Sequence, residues 1–478
     1  MHTVATDVAV IGAGTAGLAA YRTVVARGRR AVLIERGAHG TTCARVGCMP
    51  SKLLIAPAEA LHSLERFPAF GLVVDGAVKV DGRAVMARVR RERDRFVGFV
   101  TASVDALPLE DRLDGDARFV DDHTLQVGAD TRVEADRIII ATGSSAVFPA
   151  AWKALGDRLL TNVELFEWDD LPQRVAVFGP GVIGLELGQA LHRLGVDVAI
   201  YGRGGGVGPL RDPVLVAEAR RVFGAELALD TDARAEVTRD GDEVVVTLRA
   251  ANGVSAERRY DFLLAATGRR PNVHGLDLDA TTLELDADGV PVFDRTTLRC
   301  GASGIYIAGD AGDDTPLLHE AADEGRIAGE NAARHPDVGP GLRRAGLAIV
   351  FTDPQIAIVG GGYAAVRDVP HVTGAVLFQN QGRARIMLQN HGRLHVYAEP
   401  GSGRFMGAEM LGPAAEHIGH LLAWARQCDL TVARMLTMPF YHPVVEEGLR
   451  TALRDAQARL ERGDIAPPGT ARIEALMA

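Results

Sequence analysis

Asp7-Val8-Ala9-Val10-Ile11-Gly12-Ala13-Gly14-Thr15-Ala16-Gly17-Leu18-Ala19-Ala20 carries an apolar strand straight into Gly-x-Gly-x-x-Gly and then into an alanine-rich helix. A second strand, Ala31-Val32-Leu33-Ile34, ends at Glu35, about twenty residues past the glycines. Strand, glycine turn, helix and closing acid together make a dinucleotide-binding fingerprint in the context it requires. Gly12 makes the tight turn, Gly14 lets the backbone approach a pyrophosphate, and Gly17 lets the helix pack close. The helix N-terminus then faces the phosphate charge. Glu35 is placed to accept hydrogen bonds from a ribose hydroxyl pair.

The pattern repeats. Arg174-Val175-Ala176-Val177-Phe178 leads into Gly179-Pro180-Gly181-Val182-Ile183-Gly184, a helix over 185–194 and a strand over 196–201. Two such units imply two dinucleotides and electron transfer between them. The second strand ends Ile200-Tyr201-Gly202-Arg203, with glycine where a ribose-binding acid would stand. Arg203 and Arg211 lie nearby, and a guanidinium suits a 2′-phosphate. NAD(H) is therefore joined by NADP(H) as a possible second nucleotide. An apolar strand closing in Ala-Thr-Gly occurs twice, at Ile138-Ile139-Ile140-Ala141-Thr142-Gly143 and at Phe262-Leu263-Leu264-Ala265-Ala266-Thr267-Gly268. Ile305-Tyr306-Ile307-Ala308-Gly309-Asp310 reads as a buried strand ending in an acid. From about Ala345 the pattern changes to alternating strands, for example 375–378 and 394–398, then helices over 414–427 and 444–462. That is an α+β unit distinct from the doubly wound part. The tail beyond Gly463 contains Pro and Gly and is expected to be loose.

Glycine makes up 54 of the 478 residues, about 11% against a usual value of about 7%, and it follows no collagen-like period. The surplus belongs in turns and phosphate loops. The formal charge of −10 argues against nucleic-acid or anionic-membrane partners. No run of about 18 apolar residues suggests a membrane span, and the N-terminus lacks a basic leader, so a cytoplasmic protein is expected. Only three lysines occur, Lys52, Lys79 and Lys153. Four cysteines (Cys43, Cys48, Cys300 and Cys428) are too few for a secreted disulfide framework.

Two of those cysteines stand in Gly40-Thr41-Thr42-Cys43-Ala44-Arg45-Val46-Gly47-Cys48-Met49-Pro50-Ser51-Lys52. A close pair in a cytosolic chain is catalytic or metal-binding more often than structural. No second Cys/His pair accompanies it to complete a zinc site, so a redox couple is favoured. Pro50-Ser51 reads as a helix start, which sets Cys48 near a helix N-terminus that stabilises a thiolate. Lys52 adds positive charge beside it. Cys300 and Cys428 read as small apolar fillers.

With these motifs the sequence resembles the flavin-dependent pyridine nucleotide–disulfide oxidoreductases, in particular the dihydrolipoamide dehydrogenase branch, over essentially its whole length. The likeness continues through Ala266-Thr267-Gly268-Arg269-Arg270-Pro271-Asn272, Gly309-Asp310, Val350-Phe351-Thr352-Asp353-Pro354-Gln355 and His442-Pro443-Val444-Val445-Glu446-Glu447. It implies an α/β fold of two Rossmann-like dinucleotide-binding domains with a C-terminal α+β dimerisation domain. The expected division is 1–150 and 271–344 for FAD, 151–270 for NAD(P) and 345–478 for dimerisation. FAD is implied in the first unit, on Gly12, Gly14, Gly17, Glu35, Thr142, Gly143, Asp310 and, more loosely, His319. The nicotinamide nucleotide is implied on Gly179, Gly181, Gly184, Arg203 and Gly268. The resemblance makes Cys48 the flavin-facing thiol and Cys43 the one that exchanges with substrate, and it places Lys52 by the flavin, paired with Glu186. His442 becomes the acid–base, its tautomer held by Glu447 and its imidazole reaching a partner subunit's site. A homodimer with shared active sites and a lipoylated carrier protein or domain are the implied partners. Dihydrolipoamide would attack the Cys43–Cys48 disulfide at Cys43, and the electrons would pass through FAD to the nicotinamide.

Some positions depart from the family's pattern. Val182 stands where glutathione reductases carry a tyrosine, and the tail through Ile473-Glu474-Ala475-Leu476-Met477-Ala478 lacks the thiol pair of mercuric reductases. Arg45, between the cysteines, could bias binding toward an acidic carrier, and Pro57 is expected to kink the helix after Lys52. Val444 and Glu446 alter the histidine loop. A reductase of another small disulfide, or a flavoprotein binding component with little turnover, remain the alternative readings.

Overall fold

The computed structural model describes residues 2–249 and 255–468. The chain divides into two compact units, one built from residues up to Leu53, Ala87–Val147 and Gly268–Arg343, the other from Leu54–Met86, Phe148–Thr267 and the residues from Arg344 onward.

In the first unit the apolar runs assemble a sheet around His2–Ile11. That strand lies parallel to Ala31–Glu35 on one side, Val8 opposite Ala31, and to Thr131–Ile140 on the other, Ile11 opposite Ile140. Ile305–Ile307 joins parallel to the end of Thr131–Ile140, and Thr124–Val127 pairs antiparallel with its beginning. Both sheet faces are apolar because helices or further chain cover each of them. Val8, Val10, Leu33 and Ile139 pack to one side with Leu18, Tyr21 and Val24 of the helix Thr15–Ala26, while Ala9, Ile11, Ile138 and Ile140 pack to the other. All the parallel strands point the same way, so the loops at their carboxyl ends gather at one edge, where such folds bind ligands.

The second unit holds a parallel sheet in the order Ala228–Asp230, Asp197–Tyr201, Arg174–Phe178, Phe262–Ala265 and Leu159–Leu160. It also holds an antiparallel sheet in the order Leu347–Val350, Gln355–Val359, Phe405–Gly412, Arg393–Ala398 and Val372–Leu377. The helices Ala415–Gln427 and Glu447–Arg462 bury Ile418, Leu422, Leu449 and Leu453 against Val359, Val396 and Met410 of that sheet.

Several boundaries differ from the sequence expectation. The redox helix is Cys48–His62 and starts two residues before Pro50-Ser51, because a first-turn proline lacks only an amide that would be unpaired anyway. It runs on past Pro57 to His62. The second glycine helix begins at Val182, directly after the turn, and ends at Arg193. The last helix begins at Glu447, because the preceding Val444 amide is taken by the Glu447 carboxylate at 3.4 Å. The tail is tied down at Ala466, whose amide donates to His371 O at 2.8 Å; its remainder from 469 lies outside the described residues.

Candidate active site

Each glycine turn is built the same way. Gly12 has φ +106°, and a Cβ there would stand 2.3 Å from Ala141 O; one on Gly17 would stand 1.8 Å from Gly12 O. In the second unit Gly179 has φ +105° and would meet Ala266 O at 2.1 Å, and Gly184 would meet Gly179 O at 1.9 Å. The repeated Ala-Thr-Gly endings are thus the carbonyls against which the turns are pressed, and any side chain would push them apart. Gly14 and Gly181 have open space where a Cβ would lie, which leaves the helix N-termini accessible to phosphate.

A cleft of about 430 Å³ opens over the first turn, lined among others by Gly12, Gly14, Glu35, Arg45, Thr142 and Arg270. Glu35 points back into it, with Oε2 accepting from the Ala13 amide at 2.8 Å and Oε1 from the Gly37 amide at 2.9 Å. Those bonds fix the carboxylate and leave lone pairs for a ribose. The Thr142 hydroxyl in the wall is buried without a hydrogen-bond partner among the described residues. A buried orphan hydroxyl costs free energy unless a ligand completes it. Glycine cradle, aimed carboxylate and orphan hydroxyl fit the adenosine and pyrophosphate of FAD. Asp310 sits one step away: its Oδ2 accepts from Ser144 Oγ at 2.6 Å, and Ser144 in turn accepts from Arg269 Nε at 2.8 Å. Burial holds the Arg269 guanidinium below its ordinary pKa, with the Asp310 charge opposing. His319 is half exposed beside Glu320 and lines neither this cleft nor the larger cavity of the unit.

Arg45 lines this same cleft and donates to Ala38 O at 2.9 Å. Arg269 and Arg270 follow the second Ala-Thr-Gly ending, and nothing in their spacing marks them as groups beside the cleft.

The two cysteines meet because the chain folds back between them. Thr41 (φ +52°) caps the helix Thr42–Val46 by accepting from the Ala44 amide at 3.3 Å, Gly47 ends it, and the redox helix starts at Cys48. The Cys43 and Cys48 side chains are in hydrogen-bond contact; both are free thiols. Contact with Cys48 first, then burial, pushes the Cys43 thiol well up, while the charge of Lys52 pulls against them. Lys52 Nζ lies 3.4 Å from Ser51 Oγ, and that hydroxyl donates to Cys48 O at 3.2 Å.

In the second unit Glu186 is buried on the glycine helix, and its Oε1 accepts from the Phe351 amide at 2.9 Å. Val182, first residue of that helix, is exposed and leaves its N-terminus open. Arg203 and Arg211 are exposed on the loop after the second strand, Arg211 donating to Leu210 O at 2.8 Å. Arg220, unnoticed in the sequence, reaches back from the helix Pro213–Glu226 to Gly205 O at 2.9 Å through Nε. His442 is largely exposed, 81% of its side chain, with Nδ1 2.9 Å from Glu447 Oε2. Glu447 also accepts from Arg450 Nη2 at 2.6 Å. Desolvation would raise the Glu447 pKa, but the His442 contact, the Val444 amide and Arg450 together bring it below the usual value. Glu447 therefore remains an acceptor that leaves Nε2 as the outward-facing nitrogen.

The sequence profile described as pyridine nucleotide-disulphide oxidoreductase matches residues 6–325, and the dimerisation-domain profile of the same name matches 347–453. A mercuric reductase of Acidithiobacillus ferrooxidans is 33% identical over 464 residues, covering 93% of this chain and 81% of the relative. A dihydrolipoyl dehydrogenase of Haloferax volcanii is 30% identical over 474 residues, covering 94% and 96%. The crystal structure of LpdA from Mycobacterium tuberculosis superposes with a TM-score of 0.80 at 28% identity, over 94% of this chain and 99% of that one. Among the described residues no helix is long and apolar enough to cross a membrane.

Proposed function

The chain belongs to the pyridine nucleotide-disulphide oxidoreductases, and from that premise we propose that it is a dihydrolipoyl dehydrogenase-like enzyme that reoxidises protein-bound dihydrolipoamide. It is a flavoprotein disulfide oxidoreductase whose family uses FAD and a nicotinamide nucleotide, and its dimerisation domain supports a homodimer. The observation that carries the reading is the pair of touching thiols at the start of the redox helix, with Lys52 beside them. FAD, when bound, supplies the two-electron link between the cysteines and the nicotinamide.

The chain's own residues manage protons and position. Cys43 is held protonated by its neighbour and by burial, so as an attacking or leaving group it needs a base. His442 serves, with Nδ1 anchored on Glu447 and Nε2 able to take and return the thiol proton. Lys52, by the flavin, carries positive charge at the redox centre. His319 is the weakest of the FAD contacts proposed, since it lies outside the cleft. On the nucleotide side Arg203, with Arg220 beside the same loop, supports acceptance of NADP(H) as well as NAD(H). The mercuric reductase relative at 33% identity supports a second reading, in which the thiol pair handles mercuric ion.

The purified protein should be yellow, and a dithiol should raise a long-wavelength thiolate–flavin band that Cys48→Ser removes. Turnover of dihydrolipoamide with NAD or NADP, compared with glutathione disulfide and with mercuric ion, then ranks the substrates. Lipoamide turnover that survives Cys48→Ser would overturn the mechanism, and faster mercuric reduction would favour the second reading.

A further inference from the structure

Gly202-Arg203-Gly204-Gly205-Gly206-Val207-Gly208 follows the second strand of the nucleotide unit, and five glycines in seven residues give such a loop wide conformational freedom. Two bonds tie it to its own surroundings: the Gly208 amide donates to Pro180 O at 2.7 Å, and Arg220 Nε donates to Gly205 O at 2.9 Å. Arg211 follows, exposed. Its guanidinium donates to Leu210 O at 2.8 Å and Gly208 O at 3.4 Å, carbonyls of the same loop, and meets no carboxylate among the described residues.

A further anchor comes from the strand Phe405–Gly412 of the antiparallel sheet, where Glu409 is fully buried. Its Oε2 accepts from both the Arg211 amide, at 3.0 Å, and the Asp212 amide, at 2.9 Å, while Oε1 accepts from the Tyr363 amide at 2.9 Å. Gly362 (φ +59°) makes room for the carboxylate, since a Cβ there would stand 2.7 Å from Oε1. Asp212 is gripped by its side chain as well. Its Oδ2 accepts from His395 Nδ1 at 2.7 Å and from the Tyr397 hydroxyl at 2.9 Å, both on the strand Arg393–Ala398. Oδ1 takes the Val214 amide at 2.9 Å and caps the helix Pro213–Glu226. Burial holds the Glu409 carboxyl above its ordinary pKa, with the three amides pulling the other way. A buried carboxylate is costly in a sheet core that an apolar residue would fill more cheaply. What it adds is a fixed backbone at residues 211 and 212.

Resting on the reading that the second glycine unit binds the nicotinamide nucleotide, we propose that Glu409 is a positioning residue for recognition of that nucleotide's 2′-phosphate. From the antiparallel sheet it sets the backbone from which Arg211 presents its guanidinium, and His395 and Tyr397 complete the clamp through Asp212. Glu409 touches no ligand. Pinning the end of a glycine-rich loop removes part of the ordering cost before the nucleotide arrives, so the gain goes to the phosphate contact.

The test is calorimetric titration of the full-length protein with adenosine 2′,5′-bisphosphate and with 5′-AMP, which lacks the 2′-phosphate. Glu409→Ala should weaken the bisphosphate about tenfold and 5′-AMP less than about twofold. Glu409→Gln should stay within about threefold of wild type, because its carbonyl oxygen still accepts both loop amides and only the Tyr363 contact goes. Arg211→Gln should cost as much as Glu409→Ala, and the double variant no more than either alone. In steady-state kinetics, Glu409→Ala should raise the KM for NADPH about tenfold and leave kcat within about twofold. Tyr397→Phe removes one hydroxyl and keeps the ring. It should weaken the bisphosphate about threefold, and not at all in the Arg211→Gln background.

Equal weakening of both ligands, unchanged binding of both, or additive losses in the double variant would overturn the role of Glu409, even where Arg211→Gln still separates the two ligands. Should Glu409→Ala not fold, Tyr397→Phe decides by the same criteria. An Arg211→Gln variant that binds the bisphosphate as wild type does would leave Glu409 nothing to position and overturn the proposal too. Wild-type protein that binds neither ligand has a different meaning: the nucleotide reading of the second glycine unit then fails as well.

Discussion

Asp212 is almost fully buried, yet it is held below the ordinary carboxylate pKa. Burial alone would raise it; the His395 charge, its hydrogen bond at 2.7 Å, the Tyr397 hydroxyl at 2.9 Å and the Val214 amide at 2.9 Å outweigh that. Its folded pKa therefore lies below the unfolded value of about 3.9, and the folded protein binds fewer protons. The stability this supplies is present above about pH 4 and is lost as pH falls through the folded value. Asp212→Asn leaves the buried His395 and Tyr397 facing a neutral amide and should cost about 3 kcal/mol at pH 7. Urea unfolding at pH 7 and pH 3.5 checks it, because the gap between wild type and variant should shrink at the lower pH. Nothing in the primary structure announces this group. Asp212, His395 and Glu409 are separated by up to 197 positions, and only the folded unit brings Glu409 Oε2 to the Asp212 amide. Cys43, Cys48 and Glu35 were legible, by contrast, because their partners lie within a few dozen residues and the intervening chain is forced into one conformation.

At the scale of elements, the strand Asp197–Tyr201 and the loop after it decide how the second dinucleotide is held. The missing acid at Gly202 has a steric cause that the sequence does not show. A Cβ there would stand 2.6 Å from Pro180 Cγ, 2.8 Å from Pro180 Cδ and 2.9 Å from Thr231 O. The proline inside the second glycine turn and the glycine at the strand end are one packed unit. Installing the ribose-binding acid by Gly202→Glu should therefore fail to switch preference to NAD. It should lower kcat/KM for both nucleotides by roughly tenfold, since the ring or the Thr231 backbone must move. Steady-state kinetics with NADH and NADPH read this directly, and a clean gain for NAD alone would show that the turn can yield. The strand–turn–helix repeats were legible because glycine spacing and apolar runs are local. The helix starts at Cys48 and Val182 were not, because the turn geometry sets them and the first apolar periodicity comes later.

For the whole molecule, the decisive fact is the exposure of His442. An imidazole anchored at 2.9 Å on Glu447, yet with 81% of its side chain open, is held in one orientation and left free to meet another surface. Tyr441 beside it is 79% exposed, Trp424 69%, and Leu421 and Met438 are also open on a domain whose profile is one of dimerisation. Large apolar side chains left open on such a domain are material for a surface that another chain covers. If that surface is a second copy, each active site takes its cysteines from one chain and its histidine from the other, and complementation exposes the arrangement. Cys48→Ser and His442→Gln homodimers should each be nearly inactive. A mixed dimer of the two joins an intact cysteine pair to an intact histidine at one site and leaves the other site doubly defective. Co-refolding equal amounts gives about half mixed dimers by random pairing, and so about a quarter of wild-type turnover per total subunit. A dihydrolipoamide assay on the mixture, with each variant refolded alone as control, reads the result. If histidine and cysteines of one chain served the same site, every site in the mixture would lack one of them, and turnover would stay at the level of the single variants however long the subunits were allowed to exchange.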